Sequence, residues 1–364
     1  MLAHFSPDEF PKLMQHLAEA EWRALKDAPN ASSVVEPLWK WFRDRFERSP
    51  FHDRTDQIHE WANIAYLQPE RSLELAELAV SLTTAPASEN DWLRSHEWNS
   101  HEHSLKWLPR MLAGVAEHHP DKVARCFDLL WQLGRDKPAD ANFEQGHPIS
   151  IIGDVVTYKL WKSMAVYDAS LDWFERLLAG DDWLRHLHSP GWLLSKFFDF
   201  MFATSIEENW TTGRTFHMRS LPLHISNTAP FRERILALCR KLLAQRNPHL
   251  AIQTIPVLEK GCGIARFHFG GEVPKDFADA WDVERMKCLK VLEEMSLGFG
   301  EPLIQFRIRC TLMRDLRYGR ENPAFRDACR DVLTSIPDTL DLRIARTAFG
   351  NCYEEFECGG DEAG

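Results

Sequence analysis

The chain has 364 residues, 44% of them hydrophobic and 27% charged, and a formal charge of −11 at pH 7. That length exceeds a single ordinary core, so the chain must divide into domains or extend as an array. The negative balance excludes a whole-surface affinity for nucleic acid or anionic membrane.

The first predicted helix opens at Ser6-Pro7-Asp8-Glu9. This combines an N-cap serine, proline at the first helical position and a glutamate able to close a capping box. The opening "MLAHFSPDEFPKL" has neither a basic leader nor an apolar signal core, so the expectation is a cytoplasmic, non-secreted chain. No run approaches the roughly 20 apolar residues of a membrane-spanning helix. A second proline-led helix follows at "QPERSLELAEL" from Pro69.

"SHEWNSHEHSLKW", residues 95–107, concentrates histidine and glutamate. A helical zinc site needs HExxH, whose spacing of four puts both imidazoles on one face. Here His96-Glu97 is followed by His101, a spacing of five that swings the second ring roughly 140° around a helix. A divalent metal on His96, His101 and His103 would need an extended segment. The expected reading is a helix start with Ser100 as cap and Glu102 near its positive end, and no metal or other cofactor. "EHHPDK", with His118 and His119, reads as a short turn whose polar residues meet water.

"HPDKVARCFDLLWQLG" puts Val123, Cys126, Phe127, Leu130 and Leu133 on one helical stripe. Residues 204–225, "TSIEENWTTGRTFHMRSLPLHI", break that period. Thr-Thr-Gly marks a turn and the following residues alternate, which predicts a small inserted β-hairpin. Trp210, Arg214, Phe216, His217 and Arg219 give it the aromatic and guanidinium composition of binding hot spots, so these five are the candidate partner-binding residues. In "TAPFRERILALCRKLLAQR" the stripe is Phe231, Ile235, Leu238, Cys239, Leu242 and Leu243, with Arg232, Arg240 and Lys241 expected on the polar face. Another proline-led helix starts at "NPHLAIQTIPVL". The glycine-rich residues 260–278, "KGCGIARFHFGGEVPKDFA", read as a long loop.

In "IQFRIRCTLMRDLRYGR" Arg307, Arg314 and Arg317 share a side, broadened by Arg309 and Arg320. Such a stripe could grip phosphates. Glu301, Asp315 and Glu321 lie close by, which favours a solvated face laced with ion pairs. Phe325, Ala328, Cys329 and Val332 form a last stripe in "NPAFRDACRDVLTSI". The eight cysteines form no CxxC pair, and Cys126, Cys239 and Cys329 sit on apolar stripes, the pattern of reduced thiols.

Amphipathic stripes joined by short proline-punctuated turns predict an all-α fold, an irregular α-solenoid of antiparallel helix pairs. The proline-led starts at 69, 120, 248 and 323 are unevenly spaced. This disfavours a regular 34-residue array and favours a looser HEAT-like stack. The expected divisions are helical repeats at 1–90, 91–203 and 226–350, the hairpin at 204–225 and a polar tail at 351–364.

No phosphate loop, GxSxG elbow or dinucleotide-binding glycine turn occurs. The acidic pairs Asp181-Asp182, Glu207-Glu208 and Glu293-Glu294 are adjacent in sequence, so on a helix they diverge and cannot share acid–base work.

Over residues 90–300 the succession "HPDKVARCFDLLWQLGRDKP", "GHPISIIGDVVTYK", "SLDWFERLLAG", "GRTFHMRSLPL" and "RERILALCRKLL" resembles the helical-repeat region of large bacterial proteins with STAND-type NTPase modules, antiphage sensors among them. The resemblance implies a recognition arm whose NTPase or effector module lies in the same or a neighbouring chain. The expected function is therefore non-enzymatic binding of a protein or peptide, as sensor or scaffold, with no membrane or nucleic-acid partner. The alternatives are a metal-dependent enzyme built on His96, His101 and His103, or a nucleic-acid binder using Arg307, Arg314 and Arg317.

Overall fold

The computed structural model describes residues 39–40, 43–48, 58–59, 61–62, 65–83, 107–137, 139, 147–159, 163–202, 205–208, 216–219, 225–263, 275–316, 327–328 and 331–332. The chain divides into two compact units, Met1–His186 and Leu187–Gly364. The described residues are overwhelmingly helical, so the fold is all-α in class. Among them no helix is long and apolar enough to cross a membrane.

In the first unit the main helices are α1 (Pro69–Thr83), α2 (107–118), α3 (Val123–Gly134), α4 (Pro148–Lys159) and α5 (Met164–Ala179). The prolines at 69 and 148 open their helices, where the missing N–H costs nothing. Pro120 opens a single 3-10 turn that runs into α3. Ser163 caps α5 by accepting from the Val166 N–H at 3.3 Å, and His147 Nδ1 accepts from the Ile149 N–H at 3.2 Å as α4 starts.

The predicted stripe of α3 is the core of this unit: Val123, Cys126, Phe127 and Leu130 are all fully buried, and Leu133 is half-buried. Helix α3 packs against α1, α4 and α5. Trp61 donates to buried Ser72 Oγ at 2.8 Å, and that oxygen lies 2.9 Å from the Gln68 carbonyl. The indole N–H is thus satisfied without water, which a buried tryptophan requires.

Polar side chains tie α1, α3 and α5 together in order. Arg125 on α3 donates to Glu77 at 2.7 Å and to Glu70 at 3.0 Å, and Lys122 pairs with Glu70. Asp128 then accepts from Trp173 at 2.8 Å and from Arg176 at 2.9 Å on α5. Contacts advance together from Glu70–Lys122 to Glu77–Arg125 between α1 and α3, and from Phe127–Trp173 to Asp128–Arg176 between α3 and α5, so the three helices run parallel. The bridged residues stand 45 to 55 positions apart.

The second unit contains α6 (Ser189–Phe202), α7 (Ile225–Ala244), α8 (Pro248–Gly263), α9 (Lys275–Gly298) and α10 (Pro302–Leu316). Between α6 and α7, strands β1 (Ser205–Glu208) and β2 (Phe216–Arg219) pair antiparallel, Ser205 opposite Arg219 and Glu208 opposite Phe216. Helix α8 packs against α6, α9 and α10, and α7 packs against α9. Ile235, Leu238, Cys239, Leu242 and Leu243 are buried as their period requires, while Arg240 and Lys241 are exposed.

Two expectations need correction. Residues 260–263 belong to α8 and 275–278 to α9, so the expected 260–278 loop is helical at both ends; residues 264–274 lie outside the described residues. Gly261 and Gly263 do not break the end of α8 because a few weak formers at a terminus cost little once the helix is packed. Arg232, expected on the polar face of α7, is 1% exposed. Its Nε donates to Glu284 Oε2 of α9 at 2.8 Å, and Glu284 is itself buried. The apolar stem of arginine fills core space while the head finds its counter-charge.

Candidate functional site

The α7–α9 seam repeats a single register. Arg232 meets Glu284, and Arg246 meets the carbonyl of Gly298, both 52 positions on. Between them Lys287 Nζ binds Glu233 and Glu284, each at 2.9 Å, and Arg240 grips Glu294 through Nε at 2.8 Å and Nη2 at 3.2 Å. The hydrogen bond from Lys287 holds Glu233 below the ordinary carboxyl range, and the one from Arg240 does the same for Glu294. The two helices are therefore parallel and ion-paired along their length.

At its far end the seam opens into a cleft of about 230 Å³, lined by Arg240, Leu243, Arg246, Glu294, Met295 and Phe299 among others. The turn from α7 to α8 places Arg246 there. Its φ of 55° is the left-handed conformation that ends many helices and that glycine adopts most easily. Asn247 then caps α8, its Oδ1 accepting from the His249 N–H at 2.9 Å. The Arg246 guanidinium lies 5.9 Å from the Phe299 ring. Gln305 of α10 donates to the carbonyls of Ser296 and Phe299 at 2.6 and 2.5 Å, so the last turn of α9 is well satisfied.

A second polar cluster lies in the first unit. Asp182 accepts from Trp131 Nε1 at 2.5 Å and from Arg135 at 2.9 Å. Burial alone would push this carboxyl up, but the bonds from Trp131 and Arg135 outweigh it and hold it below the ordinary value. A depressed folded-state pKa gives stability that is complete above the unfolded value near 3.9 and is lost as pH falls through the folded one. Asp182→Asn is therefore expected to weaken the first unit at neutral pH and to remove part of its acid sensitivity below about pH 4. Acid unfolding followed by tryptophan fluorescence checks this; an unchanged acid limb would count against the pairing.

The other candidates divide by position. His96, His101, His103, Trp210 and Arg214 lie outside the described residues, as do Arg317 and Arg320. Phe216, His217 and Arg219 are described as the backbone of β2, and Arg314 as backbone of α10. Arg307 is half-buried and Arg309 exposed on that helix. Among the described residues no group of histidine, cysteine and acidic side chains could hold a metal.

The His118-His119 turn is more than a solvated corner. His119 Nε2 bonds the Tyr66 carbonyl at 2.5 Å, and the His118 ring stacks on Tyr66 at 4.6 Å, fixing α2's end to the segment before α1. His118 is exposed and His119 half-buried, so both still meet water; the Tyr66 contact is an addition that only tertiary packing supplies. Burial pushes the thiols of Cys126 and Cys239 up to about 12, so both stay protonated and unreactive at neutral pH. Of the adjacent acids, Asp182 and Glu294 are each engaged by arginine. These contacts are structural.

The cleft has no motif. "AQRNPHL" signals a turn through Asn-Pro, but only the fold brings Gly298 and Phe299 to it. No protein family, curated protein or solved structure matches the chain.

Proposed function

We propose that this chain is a non-enzymatic helical-repeat module that binds a protein or peptide. Its helix pairs would form an irregular α-solenoid with a small hairpin inserted at 204–225. The observation that supports this most is the recurrence of parallel, ion-paired helices. Alternate helices are bridged at sequence separations of 45 to 55 in both units, by Arg125–Glu70 and Trp173–Asp128 in one and by Arg240–Glu294 in the other. Stacked units that each touch their neighbours build extended surfaces suited to long polypeptide ligands. The resemblance to STAND-type helical-repeat regions adds a setting: a cytoplasmic bacterial sensor or scaffold, of antiphage type, working with an NTPase or effector module.

Selection of a ribosome-displayed random peptide library on the intact chain tests this reading. Saturable binders should be enriched and should weaken roughly thirtyfold in Arg214→Ala or Phe216→Ala, the loss of a hot-spot side chain. Absence of any polypeptide binder contradicts it. So would stoichiometric metal that falls away when His96, His101 and His103 are replaced, or steeply salt-dependent nucleic-acid binding lost on reversing Arg307 and Arg314.

A further inference from the structure

We infer that the cleft at the end of the α7–α9 seam is a docking point for a carboxylate-bearing peptide segment with an adjacent aliphatic side chain. This deepens the polypeptide-binding reading and rests on it. Arg240 and Arg246 both line the cleft, and Glu294 is the carboxylate among the lining residues. Glu294 spends both oxygens on Arg240, so among the described residues the second guanidinium has no carboxylate.

Arg246 gives one Nη1 hydrogen to the Gly298 carbonyl; among the described residues its Nε and Nη2 donors have no protein acceptor. A guanidinium offers a planar fork suited to a carboxylate. The Gly298 carbonyl and the Phe299 ring hold that fork in place before any ligand arrives, which lowers the ordering cost of binding.

The rest of the lining is apolar. Leu243, Met295 and Phe299 form the buried floor. Leu297, beside the lining residue Gly298 but outside the lining itself, is 92% exposed. A volume of about 230 Å³ admits a side chain or two rather than a cofactor. An unneutralised, preorganised cation over an apolar floor selects an acidic residue beside an aliphatic one. It disfavours a nucleic-acid backbone, whose successive phosphates would meet Glu294.

The probe is acetyl-Asp-Leu-amide, titrated into the intact chain by saturation-transfer NMR beside acetyl-Asn-Leu-amide. The Asp probe should bind saturably and the Asn probe at least about fivefold more weakly, a contrast that shrinks with salt. Arg246→Gly suits the left-handed turn and removes the cation, so it should abolish the contrast while circular dichroism stays native. If that variant fails to fold, Arg246→Gln serves the same purpose. Equal binding of both probes, or a contrast that survives loss of Arg246, overturns the assignment. Library peptides that bind the chain but ignore Arg246 would sink the cleft and leave polypeptide binding standing.

Discussion

Arg232→Met is expected to destabilise the second unit by about 3 kcal/mol, the lower end of what breaking a buried ion pair costs. The substitution leaves Glu284, also buried, with its charge in the core. Lys287, 2.9 Å from the other carboxylate oxygen, offsets part of that penalty. The double variant Arg232→Met/Glu284→Met removes both charges and fills the space, so it should be more stable than the sum of the singles by about 1–3 kcal/mol. Arrays of helices open locally, so the readout is native-state amide exchange in α7 and α9. Purely additive losses would mean the two residues do not face one another.

Gly191→Ala is expected to cost about 1–3 kcal/mol through overpacking. A methyl group there would stand 2.4 Å from Gln253 Cβ and 3.2 Å from the Gln253 carbonyl oxygen, atoms fixed by the α8 backbone. Helices α6 and α8 can only respond by separating along a contact that holds the second unit together. Two other glycines serve as controls. At Gly298 the added methyl group meets only the side-chain tip of Arg246, at 2.8 Å, so the cost should be limited to its hydrogen bond with the Gly298 carbonyl and stay below that at Gly191. At Gly114 it meets nothing within 4 Å, and alanine should stabilise α2 by about 0.5–1 kcal/mol through helix propensity. Thermal unfolding of the three variants should rank Gly191→Ala lowest and Gly114→Ala highest; another order would contradict the packing of α6 on α8.

Much of this packing can be read from residue spacing alone. Val123, Cys126, Phe127 and Leu130 recur at helical intervals and are all buried. Proline at 69, 148, 248 and 302 opens a helix each time. The Arg232 case shows where such reading stops. Positions 232, 236, 239 and 243 follow the same i, i+4, i+7, i+11 spacing, and all four are buried. On α9 the matching set is 284, 288, 291 and 295.

Period alone would have placed Arg232 inside, but its charge argued for the polar face. Burial became possible only because Glu284 stands at the same step of a parallel neighbour. That register is a tertiary fact with no local signature. The cleft was illegible for the same reason: Arg246, Glu294 and Phe299 are joined by the seam, and neither "AQRNPHL" nor "MSLGFGEPL" announces the other. The proposed hairpin contacts, by contrast, came from residue type and alternation within one short stretch.

Zero-length carbodiimide coupling of lysines to touching carboxylates in the intact chain, mapped by peptide mass spectrometry, tests the parallel-helix arrangement most directly. Isopeptide links are expected between Lys122 and Glu70 in the first unit and between Lys287 and Glu233 in the second, where each pair is in direct contact. Links from Lys122 and Lys287 only to carboxylates other than Glu70, Asp121, Glu233 and Glu284 would contradict it.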